Sequence, residues 1–230
     1  MEKVAVVSGA NRGIGLAVVS GLAQDGMTVV LGSRDQRAGE AAAAPLREEG
    51  LDVRPHQLDV TDEASIDRLA RRVNDELGRC EVLVNNAAIL RHERATEMDP
   101  RVADEVWKVN ALGAWRLAVA LIPLIRRGRG GRIVNVSSGA GSLSRMRGYA
   151  PAYSVSKAAL NAITRVLAEE LRGEGILVNA VNPGWVASDM GGSGAPRSLE
   201  QGAESVLWAV RIPDDGPTGG FFSDGEPMPW

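Results

Sequence analysis

The chain of 230 residues contains a single cysteine and two histidines. One cysteine, Cys80, excludes an intrachain disulfide and fits a reducing compartment. With His56 and His92 the whole histidine complement, no His/Cys metal site is expected. A strong charge bias is missing too. The net charge is -3, which gives no electrostatic case for binding nucleic acid or an anionic membrane. The one basic cluster, Arg126-Arg127-Gly128-Arg129-Gly130-Gly131-Arg132, closes a helical stretch and is read as capping its dipole and facing water. No apolar run approaches a membrane-spanning length. Met1-Glu2-Lys3 leads straight into the strand pattern Val4-Ala5-Val6-Val7, so a signal peptide is not expected and the protein is placed in the cytoplasm. Internal repeats, low-complexity tracts and an interdomain linker are also lacking.

Hydrophobic residues make up 44% of the chain, enough for the core of one α/β domain over residues 1–230. Short β-branched runs alternate with longer helical patterns. Strands are predicted at Val4–Val7, Thr28–Leu31, Val53–Gln57, Val82–Asn85, Ile133–Val136, Leu177–Val181 and Gly220–Phe222, and helices near 14–25, 36–49, 62–77, 100–127, 152–173 and 198–211. Strands apolar at nearly every position are buried on both faces. The pattern therefore predicts a Rossmann-type, doubly wound parallel sheet of about seven strands with helices on both faces. Residues 183–199 are Gly-rich and follow the sixth strand, on the sheet edge where open α/β folds bind ligands; this segment is read as a substrate loop.

After the first strand comes Ser8-Gly9-Ala10-Asn11-Arg12-Gly13-Ile14-Gly15, then a helix. Glycines let a diphosphate approach the backbone while a helix N-terminus faces its charge. The second strand ends in small residues followed by Arg34. With Arg12 in the glycine turn, two guanidiniums near the adenosine ribose favour NADP(H) over NAD(H). Asp35 argues against this, being close enough to blunt the effect, and Arg37 either assists or faces solvent. Asp59-Val60 ends the third strand, where it could meet an adenine amino group. Asn85-Asn86-Ala87-Ala88 ends the fourth, where small side chains leave room for a cofactor.

At the other end of the pattern, Ser137-Ser138 places hydroxyls at the carboxyl end of the fifth strand. Tyr153 and Lys157 stand four apart in a helix and share a face. A cation near a phenol favours the phenolate and lowers its pKa toward neutrality. Unit charges ~4 Å apart at an effective dielectric of ~20 interact by about 4 kcal/mol, enough for such a shift.

In their order and near-spacing, the Gly9/Gly13/Gly15 turn, Asp59, Asn85-Asn86-Ala87, Asn110, Ser138, Tyr153-x3-Lys157 and Pro183-Gly184 resemble the short-chain dehydrogenase/reductase family. The stretches Val29–Asp35 and His56–Val60, with the C-terminal Gly216–Phe222 and Pro229-Trp230, resemble its carbonyl-reductase branch more loosely. The resemblance implies that Tyr153 protonates the carbonyl oxygen and Ser138 holds it. It implies that Lys157 lowers the phenol's pKa and binds the nicotinamide ribose, and that Asn110, in a long fourth helix, keeps a water that links Lys157 to solvent. It places Gly9, Asn11, Arg12, Gly13, Ile14, Gly15, Arg34, Asp59, Val60, Asn86, Ala87, Pro183, Gly184, Val186 and Ser188 against the cofactor, with Ser188 at the carboxamide.

Ala88 and Ser188 depart from the family's usual Gly and Thr. The Ser138–Tyr153 segment lacks the longer insertion of vertebrate carbonyl reductases, associated with a monomeric state, so monomer and homo-oligomer both stay open. Leu90, Leu143, Met146, Trp185 and Met190 are candidate walls for an apolar substrate, each equally readable as packing. The expected activity is NADPH-dependent reduction of a ketone or aldehyde. The alternatives are an alcohol, sugar or 3-oxoacyl dehydrogenase of the same family, or a redox sensor that binds NADP without turnover.

Overall fold

The computed structural model of the chain describes residues 3–230. Strands and helices alternate in the predicted order: β1 (Val4–Val7), α1 (Gly13–Gln24), β2 (Thr28–Ser33), α2 (Gln36–Glu48), β3 (Val53–Gln57), α3 (Glu63–Leu77) and β4 (Val82–Asn85) form the first half. The second half runs α4 (Pro100–Trp107), α5 (Ala114–Ile125), β5 (Arg132–Val136), α6 (Pro151–Leu171), β6 (Leu177–Val181), α7 (Leu199–Arg211), β7 (Phe221–Ser223) and β8 (Glu226–Pro227).

The sheet order is β3-β2-β1-β4-β5-β6-β7-β8. All pairs are parallel except β7 with β8, which is antiparallel. The sheet thus has eight strands where about seven were expected. The last is a two-residue strand behind an Asp224-Gly225 turn, too short to carry a hydrophobic period.

Alternate strand residues divide between two cores. Val6, Val30, Leu83, Ile133 and Val178 pack with side chains of α3, α5 and α6. Ala5, Val7, Val29, Leu31, Val82, Val84, Val134 and Val136 pack with α1, α2 and α7 on the other face. This is why the strands read as continuous apolar runs.

Helix starts follow local chemistry. The Asp35, Asp62 and Asp99 carboxylates accept first-turn N–H groups of α2, α3 and α4, and Ser198 with Gln201 forms a capping box on α7. The expected single helix over 100–127 is instead interrupted by a π-helical segment, Lys108–Gly113, which carries Asn110. Contrary to the sequence reading, the run Pro100–Ile125 is long and apolar enough to cross a membrane by length and composition. More than half of its most apolar stretch is buried inside the fold, as suits a core helix. Arg132, read as part of a water-facing cluster, is buried, and it bonds the Ile212 carbonyl at 2.8 Å and Asp214 at 2.7 Å.

The chain crosses from β3, at one edge, to β4 beside β1. That reversal opens a crevice at the carboxyl ends of β1 and β4, where open α/β sheets hold ligands.

Candidate active site

A cleft of about 820 Å³ lies along the carboxyl edge of the sheet. That is within the size range of cofactor and substrate sites. Its lining joins the glycine turn, the ends of β2 through β6 and the start of α6.

At the nucleotide end, Gly9 has φ +62°, and a Cβ there would stand 2.8 Å from the Ala87 Cα. Gly13 has φ +60° with open space where a side chain would be. The turn therefore requires glycine for conformation at both positions, and at Gly9 for close approach as well. Ser8 locks the turn to β4: its hydroxyl accepts the N–H groups of Asn86 and Ala87, each at 3.1 Å. Asn86 Nδ2 donates to the carbonyls of Ser8 and Gly9, both at 2.9 Å. Helix α1 begins at Arg12 with no side-chain cap, so its first-turn N–H groups face the cleft without an internal acceptor.

Arg34 lines the cleft and is exposed, with no ion pair or side-chain hydrogen bond among the described residues. Asp35, expected to blunt it, makes no ion pair with it among the described residues. Its Oδ1 is taken up by the Arg37 and Ala38 N–H groups at 2.8 and 3.2 Å, capping α2. Arg37 is exposed and outside the cleft lining. Arg12 differs from expectation. Its guanidinium pairs with Asp189 across the cleft mouth at 2.7 Å, with both side chains 73% exposed. Asp59 lines the cleft and uses one oxygen to accept Thr61 N–H and Oγ1 at 2.9 and 2.7 Å. Val60 lines the same wall.

At the other end, Tyr153, Lys157 and Ser138 converge on one wall. Both α6 residues are buried, and the Lys157 Nζ lies 5.6 Å from the Tyr153 ring centre. Lys157 donates to the Val136 carbonyl at 2.7 Å, the one hydrogen bond that its three N–H groups make among the described residues. Burial pulls its pKa down to about 7. Burial also raises the Tyr153 phenol above its ordinary value; the neighbouring Ser138 hydroxyl opposes this, and Tyr149 adds to it. Without cofactor, then, burial outweighs the lysine's expected effect on the phenol, because the same burial discourages the ammonium charge.

Asn110 is buried with its amide occupied. Oδ1 accepts Ile89 N–H at 2.8 Å, and Nδ2 donates to the Ile89 carbonyl at 2.9 Å and the Ser156 hydroxyl at 3.0 Å. It staples the loop after β4 to α6.

The loop after β6 is more ordered than its composition suggests. Ala187 N–H bonds the Arg197 carbonyl at 2.8 Å, and Arg197 forms a two-pronged pair with Asp224 at 2.6 and 2.7 Å. Pro183, Gly184, Trp185, Val186, Ser188, Asp189 and Met190 line the cleft. The Ser188 hydroxyl donates to the Val186 carbonyl at 3.3 Å and accepts Gly191 N–H at 3.1 Å, which places it in its own turn.

Asn11, Ile14, Gly15, Leu90 and Ala87 also line the cleft. Leu143 and Met146 do not. Leu143 is 71% exposed, and the segment after Ser142 is drawn to the C-terminus by Ser144 N–H on the Trp230 carbonyl at 3.1 Å. Three contributors went unread. Ser8 holds the glycine turn, and Tyr149 lines the substrate end. Asn182 accepts Gly139 N–H at 3.0 Å and Gly184 N–H at 3.3 Å, tying the Ser138 turn to the Pro183 turn. Its place before Pro183-Gly184 at a strand end was the available signal.

A family model described as short chain dehydrogenase matches residues 3–197. Carbonyl reductase [NADPH] 1 of Sus scrofa is 36% identical over 275 aligned residues, covering 99% of this chain and 94% of the relative. The structure of NADPH-bound carbonyl reductase from chicken fatty liver superposes with a TM-score of 0.91 at 30% identity, covering 100% of this chain and 99% of that one. Salutaridine reductase from Papaver somniferum gives 0.86 at 30% identity, covering 97% of this chain and 100% of that one.

Proposed function

The chain belongs to the short-chain dehydrogenase/reductase family, and on that premise we propose that it is an NADPH-dependent reductase of ketones and aldehydes. One observation carries the reading. A single cleft has an uncapped helix N-terminus and Arg34, unpaired among the described residues, at one end, and the Ser138/Tyr153/Lys157 wall at the other.

The residues fit a phosphorylated nicotinamide dinucleotide. The α1 N-terminus and the glycine turn would hold its diphosphate, and Arg34 its 2′-phosphate. Arg12 reaches the same phosphate by leaving Asp189, an exposed pair of the kind worth at most about 1 kcal/mol. The two unused N–H groups of Lys157 would bind the nicotinamide ribose. Pro183, Gly184, Val186 and Ser188 would pack against the ring. When bound, the reduced cofactor supplies the hydride.

Tyr153 gives its proton to the carbonyl oxygen, and Ser138 donates to the same oxygen and fixes it. The phenol, raised by burial, is protonated at neutral pH and so is poised as an acid. Asn110 holds Ser156 and the Ile89 backbone, keeping the end of α6 and the β4 loop in register beside the lysine, from which its proton is resupplied. Leu90, Tyr149, Trp185 and Met190 wall the substrate end and favour an apolar carbonyl compound. Residues 183–199 serve as the substrate loop.

A carbonyl panel with NADPH, followed by loss of reduced-cofactor absorbance, tests the proposal. Tight NADPH binding without turnover of any compound would replace it with the sensor reading. Arg34→Ala tests the phosphate contact. NADPH affinity is expected to fall about 10–100-fold, the scale of a charge-assisted hydrogen-bond pair, while NADH affinity stays within about threefold. Equal weakening of both in titration calorimetry would remove Arg34 from the 2′-phosphate.

A further inference from the structure

Ser138 is held from both flanks by one side chain that the reaction itself does not use. Asn161 lies on the face of α6 that carries Tyr153 and Lys157. Its Oδ1 accepts the Ser137 hydroxyl at 2.6 Å, and its Nδ2 donates to the Gly141 carbonyl at 3.1 Å. These two anchors bracket the short 3₁₀ turn Gly139–Gly141 that Ser138 caps. Asn161 is 3% exposed, so water does not compete for either bond. Gly141 sits so close to α6 that a Cβ on it would stand 2.7 Å from the Lys157 carbonyl carbon.

We propose that Asn161 is a positioning residue: by tying Ser137 and Gly141 to the helix of Tyr153 and Lys157, it fixes the Ser138 hydroxyl against the phenol and the substrate oxygen. The inference rests on the carbonyl-reductase reading of the cleft. Asn161 is not part of the cleft lining, so it acts through the turn and not on the substrate. Loosening the turn takes the Ser138 hydroxyl away from the phenol, whose upward shift it opposes, and leaves Tyr153 a weaker acid. The other groups facing Tyr153 are Lys157 and Tyr149, and the charged residues lining the same cleft are Arg12, Arg34, Asp59 and Asp189. The substitution alters none of them.

The test compares Asn161→Ala with Thr164→Val in the full chain. Thr164 is equally buried on α6, accepts Asn135 Nδ2 at 2.8 Å and donates to the Leu160 carbonyl at 2.8 Å, away from the turn. Asn161→Ala is expected to lower kcat about 10–100-fold, the scale of a misplaced reacting group, and to move the alkaline limb of the reduction profile to higher pH. Its NADPH Kd should stay within about twofold, and Thr164→Val should lose stability with kcat within about twofold. A wild-type kcat in folded Asn161→Ala, or equal kcat losses in both variants, overturns the proposal.

A second readout does not need turnover. The chain has two tyrosines, so Tyr149→Phe leaves Tyr153 as the sole ring signal in carbon-13-tyrosine NMR. Adding Asn161→Ala is expected to shift that signal, and an unmoved signal overturns the proposal. Should Asn161→Ala not fold, Ser137→Ala keeps the Gly141 bond and is expected to lose about 3–10-fold in kcat; wild-type kcat there overturns the proposal. Failure of the wild-type enzyme to reduce any carbonyl would remove the functional reading and leave the ring signal to decide the positioning role.

Discussion

Tyr153→Phe is expected to lower kcat for carbonyl reduction by about 10²–10⁴-fold, the usual span for loss of a general acid. NADPH affinity should change little. The ring is buried and its replacement removes one oxygen, so the packing around α6 and the backbone contacts of the glycine turn stay as they are. The proton that Tyr153 would donate has no other source at that point: the Ser138 hydroxyl is far too weak an acid, and Lys157 donates to the Val136 carbonyl. The direction of the phenol's shift sets the pH dependence. A raised pKa keeps the phenol in its acid form through the neutral range, so titration of Tyr153 itself should not limit reduction below the ordinary phenol value of 10.0, while the reverse oxidation should climb with pH. Initial rates in both directions and a cofactor titration check this. Residual turnover within about tenfold of wild type would remove Tyr153 from the mechanism.

Lys157→Met is expected to move activity and stability in opposite directions. Turnover should fall by about 10²–10⁴-fold, since a charged contact to the ribose and the partner of the phenol are lost together. The cofactor-free protein should nevertheless become more stable at neutral pH. Lys157 buries an ammonium with one hydrogen bond, and methionine fills a similar volume without charge. The lysine's pKa is about 7 in the fold against an ordinary 10.5. Between those values the unfolded chain binds a proton that the folded chain releases. Stability from this group is therefore complete above 10.5 and is lost as the pH falls toward 7. The gain from Lys157→Met should be largest near neutrality and shrink toward pH ~9. Cys80, pushed up to about 12 by burial, lowers stability above the ordinary thiol value of 9.0, but equally in both proteins. Denaturation midpoints of the two proteins across this range decide the matter; a gap that is absent or constant with pH would contradict the burial argument.

Legibility differed sharply between parts of the chain. The six long strands were readable because their causes are local: β-branched runs buried on both faces. The short β8 and the π segment were not. The first is set by a turn at Asp224-Gly225, and the second by Asn110 reaching the β4 loop, 21 residues away. In the cleft, the glycine turn, Ser138, Tyr153 and Lys157 could be named from their order along the chain and its resemblance to the family, while strand ends and helix faces explain why they line one cleft. Leu143 and Met146 could not be placed, since an apolar residue in a loop carries no period. The capping role of Asp35 went unread for a related reason: its place beside Arg34 in sequence drew attention to its charge.

The sequence by itself determined the order of elements, the end of the sheet that holds the cleft, and the residue types that face one another there. These follow from periodicity and backbone chemistry within a few residues of each position. The tertiary structure alone decided the electrostatic state of the pair on α6 and the company each charge keeps. Burial depth, not spacing, lowers Lys157 and raises Tyr153, and folding brings Asp189 to Arg12 and Asn161 to both flanks of Ser138. Such quantities depend on what surrounds a group in three dimensions, and a linear pattern does not encode dielectric.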